Sequence, residues 1–234
     1  MLLQDLREAV LDANLELVRR ELVLYTFGNV SGISRQQGLV AIKPSGVPYE
    51  SMSAKDMVVT DLGGRVVEGA LRPSSDLATH LEIYQHFPDA GGIAHTHSEF
   101  ATAWAQARRS IPCFGTTHAD YFHGPIPVTD DLSPDEIAGD YEKNTGLAIR
   151  RLFGPGVRGG IPAALVAGHA PFCWGSTPAE AAHNAVILES VARAAYYTVG
   201  IAPNAAPLAR ELHDKHFLRK NGPNAHYGQA KDTQ

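Results

Sequence analysis

The chain predicts an α/β domain whose sheet is not purely parallel. Two patterns point there. Short apolar segments of strand length alternate with longer segments of helical period along the whole chain. Residues 57–60 and 65–68 flank Asp61-Leu62-Gly63-Gly64, the signature of a β-hairpin, whose two strands run antiparallel. A third observation sets the scale: 234 residues with 44% hydrophobic and 19% charged content suit one folded core, so residues 1–234 read as a single domain ending in a short polar tail, 230–234.

Leu6, Val10, Ala13 and Leu17 recur at helical spacing and predict a helix over residues 3–22. Residues 27–32 read as a Gly/Ser loop and residues 38–43 as a strand. Residues 76–86 read as a helix, with Ser74-Ser75-Asp76 placed to cap it. A strand at 92–97 and a helix at 99–107 follow. Ser133-Pro134-Asp135-Glu136 starts a helix expected to reach about Phe153, because Pro suits the first position and acids suit the first turn. A buried strand at 163–167 precedes the longest helix, opened by Thr177-Pro178-Ala179-Glu180 and ending near Gly200, on which Tyr196 and Tyr197 read as packing residues. A last helix spans roughly 208–220.

The net charge of −5 argues against nucleic acid or an anionic membrane as a partner, though not against an anionic substrate held by local donors. The N-terminus carries acids throughout and resembles no signal or transit peptide, and no apolar run approaches a membrane span, so a cytoplasmic location is expected. Two cysteines, Cys113 and Cys173, are too few for a disulfide framework.

His95-Thr96-His97 on a strand would project both imidazoles from one face, a start for a divalent-metal site, although such a pair also occurs as two solvated histidines. His169, after the 163–167 strand, is a candidate third ligand, and a three-histidine set leaves a coordination position open for chemistry. The segments containing Asn29, Lys43-Pro44-Ser45-Gly46 and Arg72-Pro73-Ser74-Ser75 offer backbone N–H groups, hydroxyls and an ammonium, which together suggest a phosphate pocket. Asp76 is either a helix cap or a carboxylate near the metal. Residues 154–159 match a dinucleotide-binding glycine pattern but follow a helix rather than a strand, so they read as a loop.

These motifs, together with Gly115-Thr116-Thr117-His118-Ala119-Asp120-Tyr121 and Asp214-Lys215-His216, resemble the class II aldolase/adducin family in order and over almost the whole chain, from about residue 3 to Gln229. Asp76 where related aldolases carry Glu, the Thr116–Tyr121 segment and the His226-Tyr227-Gly228-Gln229 tail resemble its sugar-phosphate epimerases. The resemblance implies a three-layer α/β/α fold with a central, largely antiparallel sheet. It implies a homotetramer with active sites at subunit interfaces, and Zn2+, or another divalent ion such as Mn2+ or Co2+, on His95, His97 and His169. It assigns the substrate phosphate to Asn29, Lys43, Ser45, Gly46, Ser74 and Ser75. Asp120 and Tyr227 take acid/base roles across the interface, with Thr116 and His216 nearby and Asp76 beside the metal. The implied activity is epimerisation of a phosphorylated pentulose by retro-aldol and aldol steps. The alternatives are an aldolase releasing dihydroxyacetone phosphate and an aldehyde, and a non-catalytic adducin-like scaffold. The chain departs from some relatives at Gly168, where they carry Ser between two histidines.

Overall fold

A computed structural model describes residues 1–154, 160–221 and 225 of the protein. Its elements in chain order are α1 (Gln4–Arg19), β1 (Asn29–Ser34), β2 (Leu39–Ile42), β3 (Val58–Asp61), β4 (Val66–Glu68), α2 (Leu77–His86), β5 (Gly92–His95), α3 (Glu99–Gln106), α4 (Thr116–Tyr121), α5 (Pro134–Ala138), α6 (Tyr141–Phe153), β6 (Ala163–Leu165), β7 (Pro171–Gly175), α7 (Pro178–Ile201) and α8 (Arg210–Asn221). The strands form one sheet in the order β4-β3-β2-β1-β5-β7-β6, and every neighbouring pair is antiparallel.

Side chains alternate across the strands, so each strand feeds two cores. Val30, Ala94, Cys173, Ala163 and Leu165 pack with Leu17, Trp104 and Leu188 of α1, α3 and α7 on one face. Ile33, Ile93, Phe172, Trp174 and Ala164 pack with Leu81, Tyr84 and Ile149 of α2 and α6 on the other. The result is the three-layer arrangement the family resemblance implied. Close packing of α7 on the sheet depends on Gly92, where a Cβ would fall 2.4 Å from the Pro178 backbone nitrogen.

Several expectations are corrected. Residues 29–34 are not a loop but the strand β1, with Val30 and Ser31 fully buried. Its Asn, Ser and Gly content hides it because strand propensity there is overridden by pairing with β2 and β5 on both sides. Pro171–Gly175 is a further strand, unread because Pro171 opens it and Gly175 closes it. The helix expected from Ser133 to Phe153 is two helices. Gly139 leaves helical geometry, and the Asp140 carboxylate accepts the Lys143 backbone N–H to start α6 afresh. Thr116–Tyr121 is a short helix. The Tyr196 and Tyr197 rings, expected to be packed, are more than half exposed in this chain and touch Phe100. Cys113 and Cys173 are free thiols. Most of the glycine-rich 154–159 stretch and the 230–234 tail lie outside the described residues. Among the described residues no helix is long and apolar enough to cross a membrane.

Candidate metal and phosphate site

Three sheet ends meet at the site. His95 is the last residue of β5 and pairs with Asn29 at the start of β1 and with Phe172 of β7. His97 lies two residues past the end of β5, so the strand does not itself project both histidines; the chain leaving it turns His97 back. His169 stands in the β6–β7 turn, beside Gly168, whose φ of +68° suits glycine. Nε2 of His97 lies 3.1 Å from Nε2 of His95 and 3.2 Å from Nε2 of His169. The three ligand nitrogens lie within 4.8 Å of one another. Nitrogens placed tetrahedrally about a divalent ion at 2.0–2.1 Å would be about 3.3 Å apart, so the spacing fits.

The protonation pattern fits as well. His95 Nδ1 lies 2.9 Å from the Pro171 carbonyl, which takes its N–H and leaves the Nε2 lone pair facing the centre. The His95 ring is held by stacking on Phe172 at 4.1 Å. Burial, and then the neighbouring histidines, push His169 down to about 4. Burial likewise lowers His97, with His95 adding to it. His97 and His169 are therefore neutral donors at neutral pH, as divalent ions require.

Asp76 resolves its two readings. It occupies the N-cap position of α2 without making a side-chain cap bond. Its Oδ2 instead accepts the Asn29 Nδ2 hydrogen at 2.6 Å and lies 4.0 Å from His95 Nε2. Burial raises the Asp76 carboxyl, but the His95 and His80 imidazoles and the Asn29 amide outweigh it and hold it below its ordinary range.

The phosphate candidates converge on the same cavity. A space of about 390 Å³ is lined by Asn29, Lys43, Ser45, Gly46, Ser74, Ser75 and Asp76 together with His95, His97 and His169. The two loops are laced together: Ser74 N–H donates to the Lys43 carbonyl at 3.0 Å, and Ser45 N–H to the Arg72 carbonyl at 2.9 Å. Lys43 is only 2% exposed. Its ammonium donates to the carbonyls of Thr26, Pro44 and Val47, each at 3.3 Å, and lies 4.8 Å from the Tyr49 ring. Burial pushes it down to about 8. The Asn29 side-chain amide oxygen is buried without a hydrogen-bond partner among the described residues.

The reading of the sequence missed Tyr141 and Glu142, which also line the cavity. The signal was the Gly139-Asp140 pair, which restarts the helix and brings its first turn to the site.

Asp120, Thr116 and His216 are not in this cavity. Asp120, near the end of α4, lines a separate space of about 860 Å³. It is clasped by α8: Arg219 donates at 3.0 and 2.9 Å, His216 Nδ1 lies at 3.0 Å, and Lys220 at 3.6 Å. Burial raises the Asp120 carboxyl, but Arg219, His216 and Lys220 hold it below its ordinary range. Thr116 opens the same helix. Tyr227 lies outside the described residues.

The profile of the Class II Aldolase and Adducin N-terminal domain matches residues 8–196. Proteins named L-ribulose-5-phosphate 4-epimerase UlaF from Salmonella paratyphi A and Salmonella typhi are each 54% identical over 227 residues, 97% of this chain and 100% of the relative. A solved L-fuculose 1-phosphate aldolase superposes with a TM-score of 0.78 at 25% identity, covering 92% of this chain and 96% of its own. The fold also matches an L-fuculose-1-phosphate aldolase from Thermus thermophilus, with a TM-score of 0.65 at 23% identity over 87% and 98% of the two chains. The chain belongs to the class II aldolase and adducin family.

Proposed function

We propose that this chain is a divalent-metal-dependent epimerase interconverting L-ribulose 5-phosphate and D-xylulose 5-phosphate, with zinc on His95, His97 and His169. The carrying observation is that one cavity holds three converging imidazole nitrogens and an anion-binding set of hydroxyls, backbone N–H groups and an ammonium. The near full-length identity to proteins named L-ribulose-5-phosphate 4-epimerase supports the choice of substrate.

C4 of a 2-ketopentose phosphate is not adjacent to the carbonyl, so enolisation cannot invert it. Its hydroxyl is β to the carbonyl, which permits retro-aldol cleavage of C3–C4, rotation of the aldehyde fragment and re-addition to its other face. A bound divalent ion would supply Lewis acidity toward the oxygens at C2 and C3, where cleavage leaves negative charge. The chain's own residues do the rest. In this reading the Ser45, Ser74 and Ser75 hydroxyls and the Gly46 N–H hydrogen-bond the phosphate, and Asn29, whose amide hydrogens go to Ser74 and Asp76, holds those two residues in register. Lys43, with its three hydrogens already directed at carbonyls, contributes a fixed positive charge. The phosphate is on C5, so that grip keeps the glycolaldehyde phosphate fragment in place between cleavage and re-addition to the C1–C3 enediolate of dihydroxyacetone.

Inversion needs a proton-transfer group on each side of the aldehyde oxygen. We assign these to Asp120 and Tyr227 of a neighbouring copy in a homotetramer, because Asp120 does not line its own chain's histidine cavity. Held ionised, Asp120 is set to accept the C4 hydroxyl proton of one epimer, with His216 fixing its orientation and Thr116 beside it.

The test is stereochemical. L-Ribulose 5-phosphate incubated with the metal-loaded protein should yield D-xylulose 5-phosphate with little free dihydroxyacetone or glycolaldehyde phosphate, and chelator should abolish conversion. Accumulating dihydroxyacetone and glycolaldehyde phosphate would establish an aldolase instead. Tyr227→Phe should keep its metal and lose most epimerisation; unchanged turnover removes Tyr227 from the mechanism.

A further inference from the structure

Behind the cavity wall lies a buried polar chain that the proposed chemistry does not use. His80 is one turn after Asp76 on α2, its backbone N–H donating to the Asp76 carbonyl at 3.0 Å. Its side chain is fully buried. Its Nδ1 lies 2.7 Å from the Ser31 hydroxyl oxygen, which lies 2.8 Å from the Tyr84 hydroxyl. Ser31 and Tyr84 are also fully buried. The other ring nitrogen of His80, Nε2, is buried with no hydrogen-bond partner among the described residues.

Hydrogen counting decides the tautomer. Burial keeps His80 neutral, so the ring carries one N–H. If that hydrogen were on Nδ1, it would donate to Ser31. Ser31 would then donate to Tyr84, whose own hydroxyl hydrogen would have no acceptor among the described residues. The lone pair of Nε2 would meanwhile be left bare, one helical turn from Asp76 and its negative charge. In the other order Tyr84 donates to Ser31 and Ser31 donates to Nδ1, so both hydroxyl hydrogens are used. The remaining hydrogen is on Nε2, where the nearby carboxylate favours it. The second order leaves fewer buried groups unsatisfied and reverses the unfavourable field.

We infer that His80 is a positioning residue for Asp76: the Tyr84–Ser31–His80 chain locks the imidazole hydrogen onto Nε2 and presents a fixed N–H dipole, one helical turn from Asp76, that holds the carboxylate turned toward the cavity. His80 does not line the cavity, so it acts through Asp76 and not on substrate. An edge-on contact with Phe172, ring centres 5.9 Å apart, places it against the residue that stacks on His95. Its kinetic consequence rests on the placement of Asp76 in the proposed epimerase site; the tautomer does not.

The tautomer is read directly from the full-length, zinc-loaded protein labelled with 15N-histidine, by long-range 1H–15N correlation, with His80 assigned from its absence in His80→Gln. The expected result is hydrogen on Nε2; hydrogen on Nδ1 overturns the inference whether or not the protein is an epimerase. Kinetics supply the second arm. Gln places an amide N–H about where Nε2 stands, whereas the shorter Asn does not reach it. His80→Asn is expected to lower kcat for L-ribulose 5-phosphate ~10-fold, with KM and zinc content within about twofold of wild type, and His80→Gln to recover to within about threefold. In an Asp76→Asn background, His80→Asn should change kcat less than about twofold, because the partner it acts through is gone. Equal losses in the Asn and Gln variants, or the full loss persisting without the Asp76 charge, would assign His80 to packing alone.

Discussion

Metal binding should appear as folding stability, with a size set by the geometry of the three histidines. Nε2 of His97 is the shared vertex, 3.1 and 3.2 Å from its two partners, so removing it leaves a pair instead of a triad. An ion that binds only the folded chain stabilises it by RT ln(1 + [M]/Kd), ~2.7 kcal/mol when free metal is at 100 times Kd. In a chain of this length each kcal/mol shifts Tm by ~2–4 °C, giving an expected rise of ~5–11 °C between chelated and zinc-loaded protein. His97→Asn should melt near the chelated wild type and gain less than about 2 °C from zinc. Differential scanning calorimetry with parallel metal analysis measures both. Chelated and loaded wild type melting within about 1 °C of each other, or a full zinc response in His97→Asn, would refute the assigned site.

Other outcomes follow from neighbouring observations. Phosphate binding favours charged Lys43, and burial sets its loss of charge near 8. The kcat/KM of wild type should therefore fall as pH rises through about 8, and a limb that survives in Lys43→Met belongs to another group. If sites combine the histidines of one copy with Asp120 of the next, mixing inactive His97→Asn and Asp120→Asn subunits by reversible dissociation should regenerate about a quarter of wild-type sites; activity no greater than the sum of the parents rejects the shared site. Gly92→Ala sets a methyl against the backbone of Pro178 and should cost ~3 kcal/mol or prevent folding. Gly200→Ala, in open space on α7, should leave Tm unchanged or raise it, and equal losses in the two would show that the contact at Gly92 is not what matters.

The legible parts of the sequence were those whose chemistry is written in local spacing. The hairpin at Asp61–Arg65, the helices with Pro and acid at their starts, and the His95/His97 pair announce themselves within a few residues. What stayed hidden depended on partners distant in the chain. Nothing in Asn29–Ser34 marks a central strand, because its polar residues are satisfied by long-range contacts: Asn29 to Asp76, Ser31 to His80 and Tyr84. His169 alone is an ordinary loop histidine. It joins the site only because β7, itself unread, pairs with β5 and returns the β6–β7 turn to His95. From its position before a helix Asp76 reads equally as a cap or as a carboxylate near the metal; its lack of a cap bond and its bond to Asn29, 47 residues away, are long-range facts that local sequence does not carry.

The two halves of the proposed machinery are built on different physical footings. The metal half is anchored at the ends of strands whose side chains fill both cores, and His95 is locked by a carbonyl on one edge and Phe172 on its face. In the acid/base half Asp120 of α4 is oriented by α8, none of whose residues is buried in this chain. That helix is tied down chiefly by polar contacts: His123 to Asp214 at 2.7 Å, His213 to the Phe122 carbonyl at 3.0 Å, and Arg219 and His216 to Asp120. Exposed charge pairs are screened by salt and contribute little stability, whereas burial in a sheet core is not screened. A platform that must hold an ion and a phosphate in fixed register gains from the rigid footing. A proton-transfer group that must approach each face of a rotating aldehyde gains from a surface that can adjust, and orienting the Asp120 carboxylate by side chains of a polar-docked helix separates these two demands within one chain.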